Sequence, residues 1–286
     1  MVLTPHPLRT PFFSPCRAEG ESNVNCNFQT APAWETNYYA RLLPQLVKTW
    51  REAFGLNFAA LIVQLAAYGG AEGASVQRMD ALPALRLAQD AVLALPATAV
   101  ALAIDLGDDG KAFHFPRCPF NGGIHPRNKT EVGRRVALKL AEIEGVLPAG
   151  AVASGPVPAA GGFAPSAAGA TLSFTPASIP NGFLQLLPTA NCTSLLPAGA
   201  AAAAGCCQVN ATASAGTWPF ELRLADNATY VLAAATIDSD GGFALLDLAP
   251  LLPQAGPFTG ARYSAQSFPL CSLVNSAGLP MAPFVI

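Results

Sequence analysis

Charge is scarce in this sequence. Only 12% of its 286 residues are charged, the net charge is −2, and no run of Lys or Arg occurs. A nucleic-acid binder needs a basic stripe or patch, so that class is set aside. Long apolar runs are also missing. The longest mostly apolar stretch, residues 91–104, has 14 residues and contains Pro96. A membrane helix needs roughly 18–20 such residues, so no span is expected. The proline-rich opening, MVLTPHPLRTPFFSPCR, has no apolar core and does not read as a signal peptide. No C-x-x-C pair is present, which argues against a zinc ribbon or a thioredoxin-like site.

Apolar residues, by contrast, make up 51% of the chain, enough to exclude global disorder. The length suggests two domains or one large one. Seven cysteines leave at least one unpaired within the chain, and the adjacent Cys206 and Cys207 read as disulfide-bonded or buried. Four N-x-S/T sequons occur, at Asn128, Asn191, Asn210 and Asn227. They matter only in a secreted or lumenal protein.

Hydrophobic periodicity divides the chain in two. Over residues 38–54, Tyr39, Leu42, Leu43, Leu46, Val47, Trp50 and Phe54 recur at helical spacing, with Pro44 as a kink or a second start. Residues 58–66 (FAALIVQLA) and 98–106 (TAVALAIDL) read as buried parallel strands, and residues 83–95 as a helix between them. A loop over 107–127 leads to a helix over 130–144, with Val132, Val136, Leu140 and Ile143 on one face. Asn128 followed by Glu131 is a capping-box-like start, which gives Asn128 a structural task in preference to a glycan. This order predicts an α/β domain, in which chemistry sits at the carboxyl ends of strands. Residues 148–170, rich in Ala, Gly and Pro, read as a linker. Beyond it the pattern turns to β: residues 220–224, a turn at Asp226-Asn227, residues 230–237, a turn at residues 240–242, then residues 243–248. A small β-sandwich is expected there, with Asn227 at a hairpin tip. Two parallel strands do not make an independently stable sheet, since three or more are usually needed. The first domain therefore borrows strands or belongs to something longer.

Candidate chemistry is sparse. His6 lies in the proline-rich leader and has no assigned role. His114 and His125 lie in the loop after the second predicted strand. Pro126 holds His125 extended just before a capped helix, where it could act as a general base at the sheet's carboxyl edge. The plainer alternative is a surface-loop histidine. A metal reading of His114, Cys118 and His125 has the spacing H-x3-C-x6-H, which matches no common zinc pattern and lacks a fourth ligand. Asp238 and Asp240 resemble a fragment of a calcium loop without its remaining ligands. In Gly20-Glu21-Ser22-Asn23, the turn could aim an amide at a developing oxyanion.

Several of these segments occur together in order: GESNVN at 20–25, TWREAF at 49–54, LIVQLA at 61–66, RLAQ at 86–89, AIDLGD at 103–108 and IHPRNKTEVGRR at 124–135. With GPVP at 155–158, the Cys206-Cys207 pair and LPMAPFVI at 279–286, the set resembles the sialate O-acetylesterases, SGNH-type serine esterases. The resemblance covers roughly residues 19–286. It implies a leader over 1–18, a partial SGNH (flavodoxin-like) parallel-sheet domain over 19–147 lacking its first strands, the linker over 148–170, and a C-terminal β-sandwich-like domain over 171–286.

The implied reaction is hydrolysis of O-acetyl esters of sialic acids, or of other acetylated carbohydrates, through an acyl-enzyme and without a cofactor. His125 would be the general base and Asn23 an oxyanion-hole donor, with Gly20 in the same block. Gln64, Arg86 and Gln89 are motif positions without an assigned chemical role. The family's Gly-Gln-Ser-Asn-like nucleophile segment has no counterpart here, so Ser22 is not promoted to that role. Where many members carry an Asp two residues before the histidine, this chain has Gly123; Asp105, Asp108 or Asp109 would orient His125 instead, or the site is a dyad. These departures predict an inactive, N-terminally truncated esterase. Its full-length parent would be lysosomal or secreted, whereas the chain as written would stay in the cytoplasm. A non-catalytic protein whose β domain binds carbohydrate or a partner, and a hydrolase using a Cys nucleophile with His125, are the competing readings.

Overall fold

A computed structural model describes residues 32–68, 82–107, 125–189, 207, 219–238, 245–250 and 257–286. The fold is mixed α/β, with few helices and a curled antiparallel sheet. Helix α1 (Pro32–Phe54) runs through Pro44. It buries Tyr39, Leu43 and Val47, one turn apart on one face. The predicted stripe continues to Trp50 and Phe54, but these are 47% and 67% exposed. Gly55, at φ +62°, ends the helix in the left-handed conformation, and Leu56 N–H closes on Arg51 O. Arg51 then turns back, donating to Phe58 O and Ala97 O just ahead of two strands.

Those strands, β1 (Ala60–Val63) and β2 (Thr98–Ala101), pair in parallel with Ala60 opposite Thr98. Between them lie α2 (Leu82–Gln89) and a 3-10 turn, Asp90–Ala94. Leu82, Leu85, Ala88 and Val92 pack with the α1 face on Ala60 and Val100 to form the first core. Among the described residues the parallel sheet has these two strands, so a complete SGNH core is not displayed. Helix α3 (Lys129–Ile143) starts as its sequence predicts: Asn128 Oδ1 accepts from Glu131 N–H at 3.1 Å. Its apolar stripe is less covered than expected. Leu140 is 40% exposed, and the one buried side chain is Arg135.

The segment read as a linker is structured. Ala153 is buried, and Gly155 lies so close to Pro280 that an added Cβ would meet Pro280 O at 1.9 Å. Residues Pro158–Pro165 form edge strand β3. Its Ala/Gly/Pro composition suits a bulged edge, where missing N–H donors cost no ladder bond on the open side. The remaining strands are β4 (Ala170–Phe174), β5 (Leu184–Pro188), β6 (Phe220–Leu224), β7 (Tyr230–Asp238), β8 (Leu245–Pro250), β9 (Phe258–Tyr263), β10 (Cys271–Asn275) and β11 (Phe284–Val285). Seven form one antiparallel sheet, in the order β11-β9-β6-β7-β8-β4-β3, and β5 pairs with β10 separately. The predicted hairpin is β6–β7, with Asn227 at φ +57° in its turn.

Between the seven-stranded sheet and the β5–β10 pair lies the second core, including Leu172, Phe220, Leu222, Leu246, Phe258, Leu273 and Met281. The buried Tyr263 hydroxyl accepts from Leu273 N–H at 2.9 Å, joining the two layers. Cys207 is bonded to Cys271 at the start of β10, not to its neighbour Cys206. Truncating Leu222 at the centre of this core is expected to cost about 3 kcal/mol, cavity included. Asn128→Ala, which loses only a cap, should cost about 1 kcal/mol. Urea denaturation midpoints of the two variants test this ordering.

Candidate functional site

The loops leaving the carboxyl ends of β1 and β2 are held by side chains rather than by further strands. After β1, Gln89 acts as a strand would: its Nε2 donates to Val63 O and its Oε1 accepts from Leu65 N–H at 2.9 Å. Gln64, fully buried, donates to Arg86 O and to Asp90 Oδ1, both at 3.1 Å. Arg86, also fully buried, donates to Leu65 O and Ala66 O. The three motif positions without a chemical role are thus one hydrogen-bonded unit. From the other strand, Gly107 presses against Ala67, where an added Cβ would lie 2.5 Å from the Ala67 carbonyl oxygen.

After β2, Asp105 accepts from Arg135 with both carboxylate oxygens, at 2.5 and 2.7 Å. Arg135 also donates to Leu102 O and Glu131 Oε1. Burial opposes the charge on Arg135, but hydrogen bonds and attraction from Asp105 and Glu131 outweigh it and hold its pKa above the ordinary value. Glu131 is held below the carboxylate range, first by its hydrogen bond from Arg134. Asp105, one of the three carboxylates expected to orient His125, thus seats α3 through Arg135. A strand-ending Asp together with an i, i+4 Glu-Arg pair was the available signal.

His125 is half-buried and stands three residues before the cap Asn128. Arg135, on the helix that follows, ties α3 to Leu102 O and Asp105 just past the end of β2. Gly20 and Asn23 lie outside the described residues, as do His6, His114, Cys118, Cys206, Asp108, Asp109, Gly123, Asn191, Asn210 and Asp240. Among the described residues, no three His, Cys, Asp or Glu side chains gather as a metal would require, and no helix is long and apolar enough to cross a membrane. Asn227 is exposed, and its Oδ1 accepts from Thr259 at 2.8 Å.

A cavity of about 270 Å³ lies beyond β2, bounded by Asp90, Val100, Lys139, Pro156 and Leu279 among others. Its Lys139 is already engaged by Ser154 and Glu142.

No family model matches this chain, and no curated protein sequence does. Among solved structures, the chain is similar to the crystal structure of a carbohydrate acetylesterase from Xanthomonas citri, with a TM-score of 0.59 and 24% identity. The match covers 93% of this chain and 48% of that one, so the chain spans about half the length of that protein. At this identity the likeness is one of fold.

Burial raises the Asp90 carboxyl to about 6, against a smaller opposing effect of the Gln64 hydrogen bond. The folded chain thus keeps this proton to higher pH than an unfolded Asp, which titrates near about 4. The stabilisation is complete below about pH 4 and is lost as pH rises through about 6. Asp90→Asn, which keeps an acceptor for Gln64, should be more stable than the parent by about 1–2 kcal/mol at pH 7.5. The difference should vanish near pH 4, as read from urea midpoints at both pH values.

Proposed function

We propose that this chain carries the histidine-bearing part of a carbohydrate acetyl-ester hydrolase, with O-acetylated sialic acid as substrate. The position of His125 carries this reading. It is half-buried and stands just ahead of a capped helix that Arg135 seats on Asp105 and on Leu102 O, past the end of β2. The fold likeness to a carbohydrate acetylesterase supports the reaction class. The ordered segments from GESNVN to IHPRNKTEVGRR support the finer choice of a sialate ester.

In this reading a serine hydroxyl attacks the acetyl carbonyl while His125 takes its proton. The tetrahedral oxyanion accepts hydrogen bonds from the Asn23 amide and from the backbone of the Gly20 block. On collapse, His125 returns the proton to the leaving sugar oxygen, and the acetyl group stays on the serine. Water activated by His125 then releases acetate and regenerates the serine. The nucleophile is not assigned to any serine of these 286 residues, because no Gly-Gln-Ser-Asn-like segment occurs among them. Asn227, exposed in its turn, is the best-placed glycan acceptor, with Asn191 and Asn210 as further sequons.

The test joins the chain to the serine-bearing segment of a carbohydrate acetylesterase and measures acetate release from O-acetylated sialic acid. His125→Ala in the joined protein should lower the rate by about 10²–10⁴-fold. The chain alone should release acetate no faster than its own His125→Ala variant. Release by the chain alone that depends on His125 would refute the nucleophile assignment. An active joined protein indifferent to His125→Ala would refute the general-base role.

A further inference from the structure

Arg86 joins two parts of the chain that are far apart in sequence. From α2 it donates to Leu65 O at 2.9 Å and Ala66 O at 2.7 Å, at the carboxyl end of β1. The same guanidinium donates to Gln266 O at 2.9 Å and Ser267 O at 2.8 Å, 180 and 181 residues further along. A second bond crosses the same junction without Arg86: Tyr68 N–H donates to Ser267 O at 2.9 Å. Residues 266–267 are themselves tied to the large sheet. The Gln266 side chain donates to Glu221 on β6, and Glu221 pairs with Arg262 on β9, at 2.7 and 2.8 Å. The Arg262 guanidinium lies 4.0 Å over the Tyr230 ring.

We propose that Arg86 is a positioning residue of the candidate esterase site and that residues 266–267 of the C-terminal β region form a fixed wall behind it. The proposal rests on the esterase reading for the identity of the site. Its physical basis is geometric. The loop over residues 64–68 leaves the carboxyl end of β1, where the esterase reading puts the site, and it is gripped by α2 at Leu65 and Ala66, by Gly107 at Ala67 and by Ser267 at Tyr68. It cannot shift without stripping carbonyls from a buried guanidinium, and an unpaired buried charge is costly. Burial lowers the Arg86 pKa to about 9, which leaves it charged at neutral pH. Only the planar fork of Arg spans carbonyls in two segments; a Lys ammonium is a point charge with the wrong reach. The β region is on this argument part of the site's scaffold and not a detachable carbohydrate-binding module.

The decisive measurement is native-state hydrogen exchange of the unmodified chain over a urea series. The Tyr68 amide should exchange with the same urea dependence as the Leu273 amide, deep in the β core. Urea-independent local opening at Tyr68, with Leu273 still protected, would overturn the fixed wall. In Arg86→Lys, the Tyr68 amide should lose its urea dependence and accelerate at least about ten-fold more than the Leu273 amide. No change, or equal acceleration of both amides as in a purely structural loss, would overturn the positioning role. In the protein joined to a serine-bearing segment, Arg86→Lys should lower kcat by about ten-fold while KM moves less than about two-fold. A joined parent without activity refutes the esterase reading, and the exchange data then decide the wall independently.

Discussion

Buried carbonyl groups at the ends of short strands have to find donors, and this constraint shapes the whole first half of the molecule. Strands β1 and β2 are only four residues long, so the sheet cannot satisfy the backbone beyond them. Side chains do it instead. Arg51 closes the entrances at Phe58 and Ala97, Gln89 and Arg86 close the exit of β1, and Arg135 closes the exit of β2 at Leu102. In a chain with so little charge, three arginines are spent on backbone oxygens at the edges of one small sheet. The C-terminal half uses the same device with an amide: Asn275 donates to Ser154 O and Ser178 O and accepts from Ala277 and Leu279.

Periodicity and turn chemistry made much of this readable. The helix at residues 129–143 follows from Asn128 and Glu131, the parallel pair from two β-branched or aliphatic runs, and the β6–β7 hairpin from Asp226-Asn227. Asp226 indeed accepts from the Ala228 and Thr229 amides. What failed did so for physical reasons. Composition cannot tell a flexible linker from a bulged edge strand, because both tolerate Pro and Gly; β3 was hidden by that ambiguity. The exposed Trp50 and Phe54 continue a helical stripe beyond the point where the core ends. The partner of Cys207 is 64 residues away and could not be chosen from spacing.

The candidate site was legible in a different way. His125 stood out because of what flanks it, a proline and a capped helix. Arg86 and Gln89 stood out only as members of ordered segments, and nothing local indicated that their work is on the backbone. The long-range half of the Arg86 contacts lies about 180 residues away, which no window along the chain can capture. The fold likeness to a carbohydrate acetylesterase takes in 93% of this chain, over about half of that protein's length.

The Cys207–Cys271 bond encloses β6, β7, β8 and β9, four of the seven strands of the large sheet. In an unfolded chain, closing a loop of this size removes conformational entropy worth about 4 kcal/mol on the chain-entropy account. Its effect on the search for the fold is at least as important. The pairing of β6 with β9 joins residues about 40 positions apart in sequence, the kind of contact that slows folding. With the ends of the loop already tied, those strands explore a far smaller volume before they meet. An oxidising environment would therefore hasten assembly of this sheet as well as stabilise it.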